Sequence, residues 1–261
     1  MNLDVPPSLL GQDGTRALQS LMRQPALLAF DFDGTLAPLR PDPQSVYVSP
    51  LLATTLTHLN ERLPVGVISG RQLSDLSPRL GFTPMLLAGN HGAEQRGDEA
   101  SHAHWDRALA PARATLLRHH RLLDRARIRV EDKRQSLALH TGTADTSSHV
   151  HEDLQVLISE LATVARVFGG HRVLNITPVS APHKGDVMAD AVSRFGVAAA
   201  LYIGDDLTDE DVFRMAPAHW VTARVGPCRQ GTAAQFTLDT HRDVECIITE
   251  LSRLADVAVH A

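Results

Sequence analysis

Two aspartates one residue apart, Asp31 and Asp33, followed at once by Gly34 and Thr35, are the residues of this chain best suited to chemistry. Such a pair can share a cation or a phosphoryl group, with one carboxylate as nucleophile and the other moving a proton. Further along stand Ser69, Lys184 and the acidic run Asp205-Asp206-Leu207-Thr208-Asp209-Glu210-Asp211. Aspartates, one hydroxyl and one lysine suit phosphoryl transfer, because a dianionic substrate repels a bare carboxylate until a cation neutralises it. Read in this way, Asp31 attacks phosphorus to form an aspartyl-phosphate, while Asp33 protonates the leaving oxygen and later takes a proton from water. Ser69 hydrogen-bonds a phosphoryl oxygen and Lys184 balances charge in the transition state. Asp31, Asp33, Asp205 and Asp209 are the expected ligands of Mg²⁺, a hard cation that favours carboxylate oxygen.

Each residue also has a plainer reading. Asp-x-Asp can be a turn that caps backbone N–H groups, Ser69 a strand-end cap and Lys184 an exposed first-turn lysine. Glu210 and Asp211 read as a solvated helix start whose acids complement the dipole. A calcium loop of the EF-hand type fits poorly, since its glycine belongs at the sixth position and Gly34 is fourth from Asp31. A dinucleotide site is disfavoured because no glycine-rich turn follows the first strand.

These residues need elements to deliver them. Residues 26–30 are an apolar run cut off by turn chemistry, as expected of a central parallel strand covered on both faces. Open α/β sheets bind ligands beyond the carboxyl ends of such strands, and residues two apart on extended backbone face one side. Val65-Gly66-Val67-Ile68 repeats the layout and ends in Ser69-Gly70-Arg71; Met85-Leu86-Leu87-Ala88 leads into Gly89-Asn90-His91-Gly92; and 198–203 ends in Gly204-Asp205. Ser49-Pro50 predicts a helix start with Leu51, Leu52, Leu56, Leu59 and Leu63 as its apolar stripe. Lys184 opens a second helix, to Phe195. From about residue 105 the pattern changes to a basic helical segment, alternating strands around 127–131 and 136–140, a helix over 152–164 and strands near 167 and 173–176. The prediction is a Rossmann-like, doubly wound α/β core with an inserted α+β module.

At 261 residues and 43% hydrophobic content the chain can bury a sizeable core. A net charge of −5 and a pI near 6.3 argue against a nucleic-acid-binding surface. Cys228 and Cys246 are too few for a disulfide framework, so a reducing cytoplasm is expected. The first 24 residues lack a charged start followed by an apolar stretch and do not read as a secretory signal. No apolar run is long enough to span a bilayer, and the fourteen histidines are scattered as on a solvated surface.

Asp31-Phe32-Asp33-Gly34-Thr35, Ser69-Gly70-Arg71, Lys184-Gly185 and Gly204-Asp205-Asp206-x-x-Asp209, in this order, resemble the haloacid dehalogenase superfamily of aspartate-dependent phosphatases. Gly89-Asn90-His91-Gly92-Ala93-Glu94, Glu131-Asp132-Lys133 with His140, the stretch from Tyr202 to Glu210 and Thr232-Ala233-Ala234 resemble the trehalose-6-phosphate phosphatases more narrowly. The resemblance covers about residues 26–252. It implies a catalytic core over 1–105 and 180–261, a mobile cap over 106–179, and hydrolysis of trehalose 6-phosphate to trehalose and inorganic phosphate. It implies His91, Glu131 and Lys133 for sugar recognition, within an expected substrate-binding set that adds Thr35, Gly70, Arg71 and Asn175. A functional link to a trehalose-6-phosphate synthase goes with that reading. The alternatives are a phosphatase for a sucrose phosphate or glycosyl-phosphoglycerate, or a regulatory domain that binds a sugar phosphate without turnover. Two places depart from the family pattern: Asn175-Ile176-Thr177-Pro178 stands where an acidic and then a basic residue are usual, and Thr141-Gly142 where an aromatic and an arginine follow His140.

Overall fold

The computed structural model describes residues 5–141, 148–170, 172–227 and 231–259. Gly142 and Cys228 lie outside them. The chain forms two units, Met1–Gly92 with His183–Ala261, and Ala93–Pro182. The helix Glu99–Ala108 runs across the boundary expected at 105/106, so the second unit starts earlier than the change of sequence pattern suggests.

In the first unit β1 (Ala26–Phe30), β2 (Val65–Ile68) and β3 (Leu86–Gly89) come from the N-terminal part. A two-residue strand, β4 (Glu94–Gln95), opens the second unit. Its own sheet holds β5 (Arg129–Asp132), β6 (Leu137–His140), β7 (Arg166–Gly170) and β8 (Val173–Thr177). The first unit resumes with β9 (Ala199–Gly204), β10 (Val221–Val225) and β11 (Phe236–Leu238). Its strands run in the order β11-β10-β9-β1-β2-β3, all neighbours parallel.

The period-two alternation of a strand explains why β1 is buried along its whole length. Leu28 and Phe30 pack in one cluster with Leu18, Leu52, Leu56, Leu59, Ile247 and Leu251, which come from the helices Gln12–Leu21, Pro50–Asn60 and His241–Val259. Leu27 and Ala29 face a second cluster with Val187, Met188 and Ala191 of the helix Lys184–Phe195. The predicted doubly wound core is therefore present. Ser49 caps its helix as expected, its hydroxyl accepting from Leu52 N at 3.3 Å. Leu51 does not join the stripe: it is 80% exposed, because its neighbour Leu52 occupies the inward direction.

The second unit is an antiparallel sheet in the order β5-β6-β8-β7. Leu137, Leu139 and Ile176 cover a core with Leu116, Leu157 and Leu161 from the helices Ala110–Arg118 and Ser148–Ala162. The basic segment expected up to Asp124 is three helices, Glu99–Ala108, Ala110–Arg118 and His120–Arg125, rather than one.

Candidate active site

Pairing of β1 with β9 runs one residue past the strand, with Asp31 N donating to Ile203 O at 2.9 Å. The backbone then turns: Ala37 N and Thr35 N both donate to Phe32 O, and Gly34 takes a φ of 80°. A Cβ at Gly34 would strike the Asp205 carboxylate, so glycine allows both the left-handed turn and the close approach. Thr35 Oγ1 donates to Asp205 Oδ1 at 3.2 Å. The turn separates the two aspartates that extended backbone would have aligned, and each finds a different cation.

Asp31 meets Lys184. The lysine is the first residue of its helix, whose start is fixed by a capping box between His183 and Asp186. Far from being exposed, it is 1% accessible, and its Nζ lies 2.8 Å from both Asp31 Oδ2 and Asp209 Oδ1. Tyr202, buried on β9, also donates to Asp209 Oδ1 at 2.6 Å, and Asp206 N donates to Asp209 Oδ2 at 2.8 Å. Asp209 thus accepts three hydrogen bonds and fixes the lysine.

Asp31, Asp205 and Asp209 each bring a carboxylate oxygen within 4.8 Å of the others. Three carboxylates, two buried and one partly so, outnumber one ammonium. Burial raises the Asp31 pKa well above its usual value, with Asp209 and Asp205 adding to that and Lys184 opposing it. Burial and the Asp209 charge push Asp205 up to about 7. Burial disfavours the Lys184 ammonium, but Asp209 and Asp31 outweigh it and hold its pKa above the ordinary lysine value. An all-oxygen cluster with surplus negative charge fits a hard divalent cation, and these three residues could hold one.

Asp33 stands outside that cluster. Both its oxygens accept from Arg71, Nε to Oδ2 and Nη2 to Oδ1, each at 2.7 Å. Ser69 is buried at the end of β2, where its Oγ accepts from Arg71 N at 3.2 Å. His91 N donates to Ser69 O and Asn90 N to Arg71 O, which ties the loop after β3 to the loop after β2. A Cβ at Gly70 would press on the His91 ring, so this glycine admits the imidazole.

Glu210 departs from the solvated reading. It is buried, accepts from Arg224 Nη1 at 3.3 Å and from Ala233 N at 2.9 Å, while Arg224 Nη2 donates to Asp205 O at 2.9 Å. It braces the strand-end loop that carries Asp205. Arg224 was not singled out in the sequence, where its only signal is a charge inside the apolar strand β10, and Tyr202 figured only as the start of the stretch that carries the resemblance.

In the second unit, the register places Glu131, Ala138, Asn175 and Phe168 in one row across β5, β6, β8 and β7. Directly opposed residues share a face, so Glu131 and Asn175 lie on the face turned from Leu137 and Leu139. Glu131 Oε2 lies 2.6 Å from His140 Nε2. Burial works against its ionisation, but the bond to His140 and the charge of Lys133 hold its pKa below the usual range. Lys133 sits in the turn after β5, with its N donating to Ser136 O at 2.9 Å.

Comparison with known proteins bears on this geometry. The trehalose-phosphatase family model matches residues 29–241. A trehalose-phosphate phosphatase of Mycobacterium bovis is 32% identical over 243 residues, covering 88% of this chain and 62% of the relative. The chain thus spans less than two thirds of that protein's length. The solved C-terminal domain of a C. albicans trehalose-6-phosphate phosphatase has the same fold, with a TM-score of 0.74 at 21% identity, covering 98% of this chain and 99% of that one. An Aspergillus fumigatus trehalose-6-phosphate phosphatase aligns with a TM-score of 0.66 at 26% identity, covering 95% and 99%. With the family match extending from β1 to the final helix and the strand-end carboxylates in place, the chain belongs to the trehalose-phosphatase family.

Proposed function

We propose that the chain hydrolyses trehalose 6-phosphate to trehalose and inorganic phosphate, with Asp31 as nucleophile. One observation carries the reading: a buried lysine bridges Asp31 and Asp209 beyond the carboxyl ends of β1 and β9. In the first step an Asp31 oxygen attacks phosphorus, the P–O bond to the sugar breaks, and Asp33 gives its proton to the departing sugar oxygen. In the second step Asp33 takes a proton from water, the water oxygen attacks the aspartyl-phosphate, and phosphate leaves with Asp31 restored. Lys184, held on two carboxylates, keeps its charge beside the nucleophile throughout. Ser69 hydrogen-bonds a phosphoryl oxygen in this scheme.

The cation we assign to Asp31, Asp205 and Asp209 is Mg²⁺, which when bound offsets the charge of the phosphate. Asp209, already accepting three hydrogen bonds, serves mainly to hold Lys184. Glu131, Lys133 and Asn175, with His91, are assigned to the sugar, and Thr35 and Gly70 to shaping the phosphate site. No helix among the described residues is long and apolar enough to cross a membrane. A cytoplasmic site of action, with a functional link to a synthase that makes the phosphate ester, fits the reading.

A phosphate-release panel over trehalose 6-phosphate, sucrose 6-phosphate and glucose 6-phosphate tests it. The expected result is preferential release from trehalose 6-phosphate, abolished by EDTA and restored by Mg²⁺. Equal or better release from another sugar phosphate would overturn the substrate, and release in metal-free buffer would overturn the cation.

A further inference from the structure

Asp33 lies on the turn after β1 with its side chain one third exposed, next to a glycine at positive φ. Nothing in that local backbone fixes the carboxylate. What does so is Arg71, whose fork takes both oxygens, and Arg71 is itself engaged on every side. Its Nη1 donates to Asp75 Oδ2 at 2.8 Å, its Nη2 also donates to Pro43 O at 2.9 Å, and its guanidinium lies 5.2 Å from the Phe32 ring centroid. Asp75 Oδ1 in turn accepts from Arg79 Nη2 at 2.6 Å and Nε at 3.0 Å. Arg79 is buried and anchors the far end, donating to Gln44 O at 2.8 Å, Gln44 Oε1 at 2.7 Å and Val46 O at 3.2 Å.

The residues 71, 75 and 79 are spaced by four, so they stack along one face of the helix Leu73–Leu80 and the turn before it. Burial works against ionisation of Asp75, but hydrogen bonds from Arg79 and Arg71 prevail and hold its carboxyl below the usual carboxylate range. The charges alternate along the row, Arg79, Asp75, Arg71, Asp33, and each middle member is held from both ends. A guanidinium fork transmits direction as well as charge, because its donors are fixed in one plane.

We propose that Asp75 is a positioning residue: anchored by Arg79, it orients Arg71 so that the Arg71 fork aims the Asp33 carboxylate at the leaving oxygen. The proposal rests on the reading of Asp33 as the group that protonates the leaving sugar oxygen. Asp75 touches neither the carboxylate cluster nor, on this account, the substrate. Its influence reaches the chemistry through Arg71 and ends at Asp33.

The test is single-turnover release of the alcohol, with enzyme in excess, from trehalose 6-phosphate and from a nitrophenyl phosphate whose phenolate leaves without a proton. Asp75→Asn keeps size and one acceptor but loses the charge that holds both arginines. It is expected to slow the sugar phosphate about tenfold, the worth of one charge-assisted hydrogen bond, with KM unchanged and the aryl phosphate within about twofold. Placed on Asp33→Asn, it should add nothing further, because the residue it aims is already disabled. Arg71→Lys, which keeps the charge and loses the fork, should show the same selectivity. Equal slowing of both substrates by Asp75→Asn, or a full additional loss on Asp33→Asn, would make Asp75 a structural support only and overturn the proposal. If Asp33→Asn itself slows both substrates equally in this step, the acid role of Asp33 is what has failed. Selective loss in Asp33→Asn without it in Asp75→Asn and Arg71→Lys would refute the relay alone.

Discussion

The carboxylate site of the first unit and the Glu131–Asn175 row of the second are built in opposite ways. Around Asp31 the closest partners are buried and come from far along the chain: Lys184 is 153 positions later, and Asp209, which holds that lysine's other side, and Tyr202, bonded to Asp209, later still. Glu131, by contrast, is half exposed on an edge strand, and its partner His140 is nine residues away across one hairpin. A carboxylate held beside an ammonium for chemistry, as proposed for Asp31, needs a rigid, dry frame. If the Glu131 face reads sugar hydroxyls, as proposed, it does so through a few charged side chains on and beside the edge strand of a short sheet. Asn175, one of the departures from the family pattern, belongs to that row but is itself buried.

The largest effect expected on this contrast follows from removing the buried cation. Lys184→Met leaves Asp31 and Asp209 facing each other in the interior, and breaking a buried pair by deleting one partner costs about 3–5 kcal/mol. Urea denaturation of the EDTA-treated variant should show that loss along with no detectable turnover. A variant as stable as wild type would mean that the lysine is not the keystone of the site.

A smaller and more selective effect is expected from the second unit. Glu131→Ala and Lys133→Ala should each lower kcat/KM for trehalose 6-phosphate roughly ten- to a hundredfold, the worth of a lost hydrogen bond to a charged group. Neither should alter cleavage of a small aryl phosphate or the denaturation midpoint by much. If both variants cleave the disaccharide phosphate as wild type does, that face does not read the sugar, and the contrast between the two regions is one of exposure only.

A third effect concerns pH. The folded state holds the Asp205 proton more tightly than the unfolded chain, with a pKa of about 7 against an ordinary 3.8. The stability this group contributes is therefore present below about pH 4 and is lost as pH rises to about 7. In metal-free protein the melting temperature of wild type should fall, relative to Asp205→Asn, between about pH 5 and 7.5, and Mg²⁺ should remove the difference. Parallel melting curves over that range would contradict the surplus of negative charge at the site.

Much of the first unit was legible because its elements announce themselves locally. The apolar run into Asp31, the Ser49 cap and the lysine opening the helix Lys184–Phe195 all depend on neighbours within a few residues. What pairwise spacing could not give was the side on which each carboxylate ends. Asp31 and Asp33 read as partners on extended backbone, but the Gly34 turn sends one to Lys184 and the other to Arg71. Glu210 read as solvated because its partners Arg224 and the Ala233 amide come from β10 and a later loop. Arg71, Asp75 and Arg79 were not legible as a unit, because their spacing by four gains meaning only from the attachment to Asp33.

The central claim is that the Asp31 carboxylate itself takes the phosphoryl group, and single-turnover phosphate release with excess enzyme tests it most directly. Asp31→Asn conserves volume and removes the nucleophile, so the folded variant should release no phosphate on the time scale of wild type, and acid-quenched wild type should carry phosphate transiently on Asp31. Release by Asp31→Asn at a rate near that of wild type would contradict the covalent mechanism.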